Sequence, residues 1–230
     1  MQENTQPSNT LDLSVNEEKI QSIFKQQIEF FNSGATRSLK YRISALKQLK
    51  AAIQHHENEI EKALFQDLRK SNFEAFGTEV GIILKELDFT IRHLEDWARP
   101  QSVPTPLMFF PSSSKIYRDP LGAVLIIAPW NYPFQLVFGP LICAIAGGNT
   151  AFIKPSEEAM HTAKLVEKII HETFDARYIY VVQGIGAEII PALINSVRFD
   201  HVFFTGSTMV GQKIMEMASK KLIPVTLELG

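Results

Sequence analysis

From residue 121 onward, short runs of apolar residues alternate with stretches whose apolar residues recur at helical spacing. The apolar runs predict five strands, at Val124–Ala128, Ala151–Lys154, Tyr178–Gln183, His201–Thr205 and Pro224–Leu229. The stretches between them predict four helices, near Leu136–Ala146, Glu157–Thr173, Ala187–Asn195 and Met209–Lys220. Continuous apolar strands that alternate with amphipathic helices indicate an α/β fold, in which helices cover both faces of a parallel sheet.

Within residues 1–99, the stretch from Ser14 to about Ala98 shows helical periodicity. Ser14 and Glu17 resemble a capping box in front of the first of four apolar stripes. The fourth stripe is opened by Ser71 and runs to Pro100. We interpret this part as a helical segment that packs on the α/β domain and supplies scaffold rather than chemistry.

The next segment, residues 100–120, starts with four prolines and three consecutive serines within residues 100–114, so we predict an extended crossing segment. The net charge of -2 gives no reason to expect nucleic acid or a membrane surface as a partner. No run reaches the roughly 18 apolar residues of a transmembrane helix. A single cysteine cannot form an internal disulfide, which suits a reducing compartment, and we expect a cytoplasmic protein.

Right-handed crossovers place the loops that follow parallel strands at one edge of the sheet, where such sheets bind ligands. The first of these loops holds Asn131 between Pro129 and Pro133, whose rings restrict the backbone. A carboxamide fixed there can stabilise a negative oxygen that develops during a reaction. The alternative is that Asn131 only satisfies its own turn backbone.

The second loop combines Lys154, Ser156 and Glu157. Ser156 is a good N-cap for the helix that follows. Lys154 ends an apolar strand, where its charge needs a partner or a ligand, and together with a carboxylate it can hold ribose hydroxyls. The alternative is that these residues only start the helix.

The third and fourth loops also carry polar residues. Gly206, Ser207 and Thr208 join a strand to a helix, and helix N-termini of this kind bind phosphate; Ser207 or Thr208 could equally be a plain N-cap. Glu228 stands between two leucines, and an apolar environment would raise the pKa of its carboxyl toward that of a useful general base. It could equally be a strand residue on a solvated face.

Other features carry less weight. Gly184 and Gly186 begin like a dinucleotide fingerprint, but Ile189 occupies the third glycine position, so we expect only a helix start. Cys143 lies in an apolar helix, where we expect a buried and unreactive thiol. The histidines show no ligand spacing, and no metal site is expected.

Four segments, Ala128–Pro133, Lys154–Glu157, Phe204–Gly211 and Leu227–Gly230, resemble those of the NAD(P)-dependent aldehyde dehydrogenases in order and spacing. The likeness extends from about Phe65 to the last residue, and the stretch 120–129 with the short N-terminal region is most similar to the class 3 branch. The resemblance implies a Rossmann-like NAD(P)-binding domain at residues 121–230, within an aldehyde dehydrogenase fold whose catalytic domain is absent from this sequence.

The resemblance also implies roles for individual residues. Asn131 matches the donor to the oxyanion of the tetrahedral intermediate, and Glu228 matches the base that activates water for thioester hydrolysis. The implied cofactor-binding residues are Pro129, Trp130, Lys154, Ser156, Glu157, Gly206, Ser207, Thr208, Gly211 and Leu229. NAD is the implied cofactor because a carboxylate at Glu157 disfavours a 2′-phosphate, and NADP is the alternative.

The family's catalytic cysteine is expected some tens of residues beyond Glu228, whereas this sequence ends at Gly230. Cys143 lies in a different element and cannot replace it. We therefore expect a homodimeric parent protein that oxidises a small-molecule aldehyde to a carboxylic acid, and an inactive chain by itself. The alternatives are a non-catalytic nucleotide-binding module, an incomplete fold without independent function, and a reductive or acyl-transferring enzyme of the same fold, against which Glu228 weighs.

Overall fold

The computed structural model describes residues 17–230, and its centre is a parallel β-sheet. The strands are β1 (Gln101–Val103), β2 (Ser114–Ile116), β3 (Ala123–Ile127), β4 (Thr150–Lys154), β5 (Ile179–Val181), β6 (His201–Gly206) and β7 (Val225–Leu229). Strands β3 to β7 form one sheet in the order β5-β4-β3-β6-β7, and each neighbouring pair is parallel. The predicted parallel α/β fold is confirmed.

Helices cover both faces of this sheet. They are α1 (Glu17–Asn32), α2 (Leu39–His55), α3 (Glu57–Leu68), α4 (Asn72–Ala75), α5 (Gly81–Ala98), α6 (Gln135–Gly147), α7 (Met160–Thr173), α8 (Gly186–Ser196) and α9 (Thr208–Ser219). Successive residues of β3 point to opposite faces, so Val124 and Ile126 enter one core while Leu125 and Ile127 enter the other. Helices α2, α3, α5, α6 and α7 complete the first core, and α1, α8 and α9 complete the second.

The N-terminal helices match the predicted stripes, with one interruption. The Ser71 hydroxyl accepts a hydrogen bond from the Glu74 N–H at 3.2 Å, as its position before the fourth stripe predicts. The stripe is not one helix, because a π turn at Phe76–Val80 separates α4 from α5. This turn points Glu79 into the protein, where its side chain is fully buried. Ser14, of the predicted capping box, lies outside the described residues.

Residues 100–120 contain a small antiparallel hairpin. Strands β1 and β2 pair with Ser102 opposite Lys115, and a 3₁₀ turn at Leu107–Phe109 lies between them. The predicted extended segment is therefore partly paired with itself, and the side chains of its turn are exposed.

Element ends differ from the predictions by a few residues. Strand β5 is shorter than the predicted run because only three of its residues pair with β4. Helix α7 begins at Met160, since residues Glu157–Ala159 form a 3₁₀ turn first. Within residues 17–230, no helix is long and apolar enough to cross a membrane.

Candidate cofactor and catalytic site

The carboxyl ends of the strands open into adjoining cavities. The α8–α9 cavity, of about 450 Å³, is lined by residues of these two helices and by the ends of β3, β4 and β6. The strand-end cavity, of about 400 Å³, is lined by Asn131, Ser207 and Glu228, among others. Both cavities share the side chains or backbone of Pro129, Trp130, Thr205, Gly206 and Ser207. The loops that the sequence singles out therefore meet in one cleft.

Lys154 and Glu157 form an ion pair in the wall of the α8–α9 cavity. The Lys154 side chain is 2% exposed, and its Nζ lies 2.9 Å from Glu157 Oε2. The same nitrogen donates to the Pro155 carbonyl at 2.6 Å. Glu157 Oε1 accepts a hydrogen bond from the Gly186 N–H at 2.6 Å, which ties this loop to the start of α8. The Ser156 hydroxyl caps the 3₁₀ turn by accepting from the Glu158 N–H at 3.3 Å, so the predicted N-cap is confirmed.

Burial and hydrogen bonding shift both groups of this pair. Burial lowers the pKa of the Lys154 ammonium, although the hydrogen bond and charge of Glu157 act in the opposite direction. Burial alone would raise the pKa of the Glu157 carboxyl, but hydrogen bonds from the Gly186 N–H, its own N–H and Lys154 outweigh it and lower that pKa. Glu157 is therefore held as a carboxylate at the cavity wall.

The turn between β6 and α9 has the geometry of a helix N-terminus. The Ser207 hydroxyl accepts from the Val210 N–H at 3.4 Å, so Ser207 is the N-cap of α9. A Cβ at Gly206 would lie 2.5 Å from the Phe204 ring, and one at Gly211 would lie 2.6 Å from the Leu229 side chain. The Phe204 ring is buried, so packing requires glycine at position 206, whereas the exposed Leu229 side chain can turn away from a Cβ at position 211. The remaining N–H groups of the first turn are available to an anion.

Two of the predicted cofactor residues stand apart from the cavities. Thr208 is not among the lining residues, and its hydroxyl donates to the Gly230 carbonyl at 3.3 Å. Gly211 is buried beneath Leu229 and lines neither cavity. The other ten predicted site residues line the cleft: Pro129, Trp130, Asn131, Lys154, Ser156, Glu157, Gly206, Ser207, Glu228 and Leu229.

Asn131 lies in the loop after β3, where it lines the strand-end cavity and is exposed. Its Oδ1 accepts a hydrogen bond from the Tyr132 N–H at 3.0 Å. This hydrogen bond is the turn interaction expected if Asn131 satisfies its own turn backbone. It occupies the oxygen and leaves the Nδ2 donors free for the cavity, so the turn role and the donor role are compatible.

Glu228 stands on β7, paired in register with Thr205 of β6. Its carboxylate is exposed, so the apolar environment expected from its leucine neighbours does not enclose it. It lines both the strand-end cavity and a third one of about 490 Å³, the α6 cavity, whose other walls include Leu136, Gly139 and Cys143. Glu228 therefore stands where the two cavities join.

The prediction of a buried Cys143 is wrong. The side chain is exposed, because α6 turns it toward the α6 cavity rather than into the core. The cavity walls still crowd the sulfur, and this desolvation, with a smaller effect from the nearby Glu86, raises the pKa of the thiol. Cys143 is solvent-accessible but favours the unreactive protonated form.

The similarity of this chain to known proteins identifies its family. The family model of the aldehyde dehydrogenases matches residues 12–230. The chain belongs to the aldehyde dehydrogenase family. A 4,4'-diaponeurosporen-aldehyde dehydrogenase of Staphylococcus aureus is 48% identical over 211 residues, which are 92% of this chain and 46% of that protein. Aldehyde dehydrogenase family 3 member A2 of Macaca fascicularis is 44% identical over 200 residues, 87% of this chain and 41% of the relative.

A solved Staphylococcus aureus AldH structure in a substrate-bound state shares the fold with a TM-score of 0.89 at 48% identity, covering 92% of this chain and 46% of that one. The predicted likeness to the class 3 branch of the aldehyde dehydrogenases is confirmed by these relatives. The family depends on NAD(P). The chain spans about half the length of the curated relatives it matches.

The cleft of this aldehyde dehydrogenase chain fits a dinucleotide. A lysine ammonium has three N–H donors, and Lys154 uses two of them on Pro155 and Glu157, which leaves one for a ligand. The hydroxyl of Thr205, at the junction of the cavities, is buried and has no hydrogen-bond partner among the described residues. An unpaired buried hydroxyl beside a glycine cradle is the chemistry expected of a polar ligand site.

Several residues that line the cleft have no distinguishing pattern in the sequence. Ile190, Pro191 and Val210 form apolar walls of the α8–α9 cavity, and Lys213 lines it as an exposed cation. Gly186 begins α8 as predicted, but it also holds Glu157, so the weak glycine pattern does mark the site. Among the described residues, no group of three or more His, Cys, Asp or Glu side chains could hold a metal ion.

Proposed function

We propose that this chain supplies the cofactor site, the oxyanion donor and the water-activating base of an NAD(P)-dependent aldehyde dehydrogenase that oxidises aldehydes to carboxylic acids. The observation that carries the proposal is the position of Asn131, Ser207 and Glu228 around one cavity. That cavity shares a wall with the one that holds Lys154 and Glu157. A phosphate site, a ribose site and two catalytic groups thus fall within reach of one extended ligand.

The α8–α9 cavity would hold the adenosine end of the cofactor. Its walls at Pro191 and Val210 suit a flat apolar base, and Lys154 with Glu157 suits ribose hydroxyls. The free N–H groups at the start of α9 suit the pyrophosphate. The carboxylate of Glu157 favours NAD, while the cation of Lys213 in the same cavity favours NADP. When bound, the nicotinamide supplies the hydride acceptor.

Asn131 and Glu228 would act on the reacting carbonyl. The free Nδ2 of Asn131 donates to the oxygen that becomes negative when a cysteine attacks the aldehyde. Glu228, exposed at the junction of two cavities, takes a proton from the water that hydrolyses the thioester. Cys143 is not the nucleophile of this proposal, because it lines the α6 cavity and not the strand-end cavity.

The α6 cavity would receive the organic group of the substrate. Its lining is mainly apolar, with Val124, Ile126 and Leu136, and it reaches the strand-end cavity at Thr205 and Glu228. This arrangement favours an aldehyde with an apolar chain over a strongly charged one. A homodimeric, cytoplasmic parent enzyme remains part of the proposal.

Calorimetry of the 230-residue chain with NAD+ and with NADP+ tests the cofactor part of the proposal. Micromolar binding of at least one of them supports it, and failure of a folded chain to bind either one contradicts it. The catalytic part requires the protein that carries this chain together with the cysteine nucleophile, assayed for aldehyde-dependent NAD(P)H formation. Binding by the chain without NAD(P)H formation by that protein would favour the non-catalytic nucleotide-binding module.

A further inference from the structure

A buried ion pair lies directly behind the Asn131 loop and belongs to none of the roles given above. Lys70, after α3, and Glu79, in the π turn, approach to 2.6 Å between Nζ and Oε1. Their side chains are 8% and 0% exposed. Burying two charges is costly unless further hydrogen bonds complete their shells, so the partners of this pair indicate what the pair does.

Every further partner of the pair belongs to the loop that carries Asn131 or to the first residue of α6. Lys70 Nζ donates to the Asn131 carbonyl at 2.9 Å and lies 3.9 Å from the centre of the Tyr132 ring. Glu79 Oε2 accepts from the Phe134 N–H at 2.9 Å and from the Gln135 N–H at 3.1 Å. The cation thus holds the loop at its start, and the anion holds it at its end.

The anion also replaces a missing helix cap. Phe134 occupies the N-cap position of α6 and has no side chain that can accept a hydrogen bond. Glu79 supplies that acceptor from a different part of the chain, and its negative charge faces the positive end of the helix. The start of α6 is therefore fixed relative to the π turn, and the Asn131 loop is fixed between them.

We propose that Lys70 and Glu79 are positioning residues, which hold the Asn131 backbone so that its Nδ2 faces the strand-end cavity. The catalytic consequence rests on the donor role proposed for Asn131. The geometric claim, that the ion pair keeps the Asn131 loop ordered, does not depend on that role. Neither side chain touches the cleft itself, since neither is among the lining residues of its cavities.

Trp130, next to Asn131, reports the geometric claim directly. The chain has two tryptophans, Trp97 and Trp130, so Trp97→Phe leaves a single indole in the loop. In that background, the double variant Lys70→Met/Glu79→Gln removes both charges together and leaves neither one unpaired. We expect greater acrylamide quenching and lower anisotropy of Trp130. Lys70→Arg, which keeps the cation, should largely restore both values.

A control breaks a more exposed ion pair of the same length elsewhere. Lys50 Nζ lies 2.6 Å from Asp88 Oδ1, between α2 and α5, and touches no residue of the Asn131 loop. Lys50→Met should leave Trp130 quenching unchanged. Quenching of the double variant equal to that of this control, in a chain that still melts cooperatively, overturns the proposal.

If the double variant does not fold, amide hydrogen exchange of the unmutated chain tests the proposal instead. First-turn amides of a helix have no intrahelical acceptor and normally exchange quickly. Protection of the Phe134 and Gln135 amides similar to that of the helix interior is expected. Fast exchange of both amides overturns the proposal.

Kinetics of the protein that contains the catalytic cysteine separate the two proposals. Loss of an ordered donor loop should lower kcat roughly 10²-fold in the double variant. The Kd for NAD+ should change much less, because only residues 128–130 among the walls of the α8–α9 cavity belong to this loop, whereas Lys154, Glu157 and the start of α9 do not. A double variant with the kcat of the parent overturns the positioning role and leaves the dehydrogenase assignment standing. A parent without dehydrogenase activity refutes the assignment, while the fluorescence and exchange results still decide the geometric claim.

Discussion

Replacing Lys154 by methionine tests the cofactor site most directly. Methionine preserves most of the buried apolar stem and removes only the ammonium group. The substitution therefore deletes the hydrogen bonds to Pro155 and Glu157 together with the one remaining N–H donor that faces the cavity. Glu157 keeps the Gly186 N–H as a partner and remains in contact with solvent, since its side chain is 37% exposed.

The structure sets the size of the expected effect on binding. One N–H of Lys154 is free, so at most one hydrogen bond to the cofactor is lost. A hydrogen bond from a charged donor contributes about 1.5–3 kcal/mol, which corresponds to a rise in Kd of roughly 10- to 150-fold. The free energy of unfolding should fall by only about 1–2 kcal/mol, because Glu157 retains other partners. Loss of affinity is therefore expected without loss of the fold.

Calorimetric titration of the 230-residue chain with NAD+ measures this change, and a thermal melt verifies the fold. Lys164→Met is the matched control, since Lys164 is an exposed lysine of α7 outside the cleft. It should bind NAD+ with the affinity of the unmutated chain. A Kd for Lys154→Met within about twofold of this control would refute the assignment of Lys154 to the ribose site.

Three other substitutions probe neighbouring parts of the cleft. Gly206→Ala should lower the free energy of unfolding by about 1–3 kcal/mol in urea denaturation, because its Cβ would lie 2.5 Å from the buried Phe204 ring, whereas Gly77→Ala meets nothing within 4 Å and should not. The pKa of the Glu157 carboxyl is held below its ordinary value of 4.5. The stabilisation by this carboxylate is therefore fully present above pH 4.5 and is lost as the pH falls through the lower pKa of the folded state. Glu157→Gln should thus lower Tm near pH 7, and should lower it less as the medium is acidified. In the protein with the catalytic cysteine, Asn131→Ala should reduce kcat by roughly 10²–10³, and unchanged turnover would exclude the donor role.

The fold could be predicted from the sequence because each sheet strand is a short apolar run between helical stretches. All residues of β3 and β4 are buried, as such runs imply. The π turn in the fourth stripe could not be predicted. Its buried residue, Glu79, is stabilised by the backbone of Phe134 and Gln135, and no local pattern reveals a partner 55 residues away.

The candidate site could be predicted where polar or glycine residues follow or interrupt an apolar run. Lys154 and Glu228 are such residues, and both line the cleft. The exposure of Cys143 could not be predicted, because no polar residue beside it marks that side of the helix. Helix α6 is apolar on all sides, so its sequence does not reveal which side faces a cavity. The side that faces the cavity is set by how far the helix covers β6.

Two of the lysine–glutamate pairs, Lys154–Glu157 and Lys70–Glu79, perform the same mechanical task. Glu157 accepts the Gly186 N–H at the start of α8, and Glu79 accepts the Gln135 N–H at the start of α6. Neither helix has a capping side chain at its own N-cap position, whereas α9, at the phosphate turn, has Ser207. A cap from the adjoining residue leaves a helix free to move together with its own loop. A carboxylate from another element instead fixes the helix to that element. The start of α6, which follows the Asn131 loop, and the cleft wall at α8 are therefore fixed by these cross-links. A substitution at either glutamate should consequently change the site geometry together with the stability of the chain, whereas one at Ser207 should act mainly on its own helix.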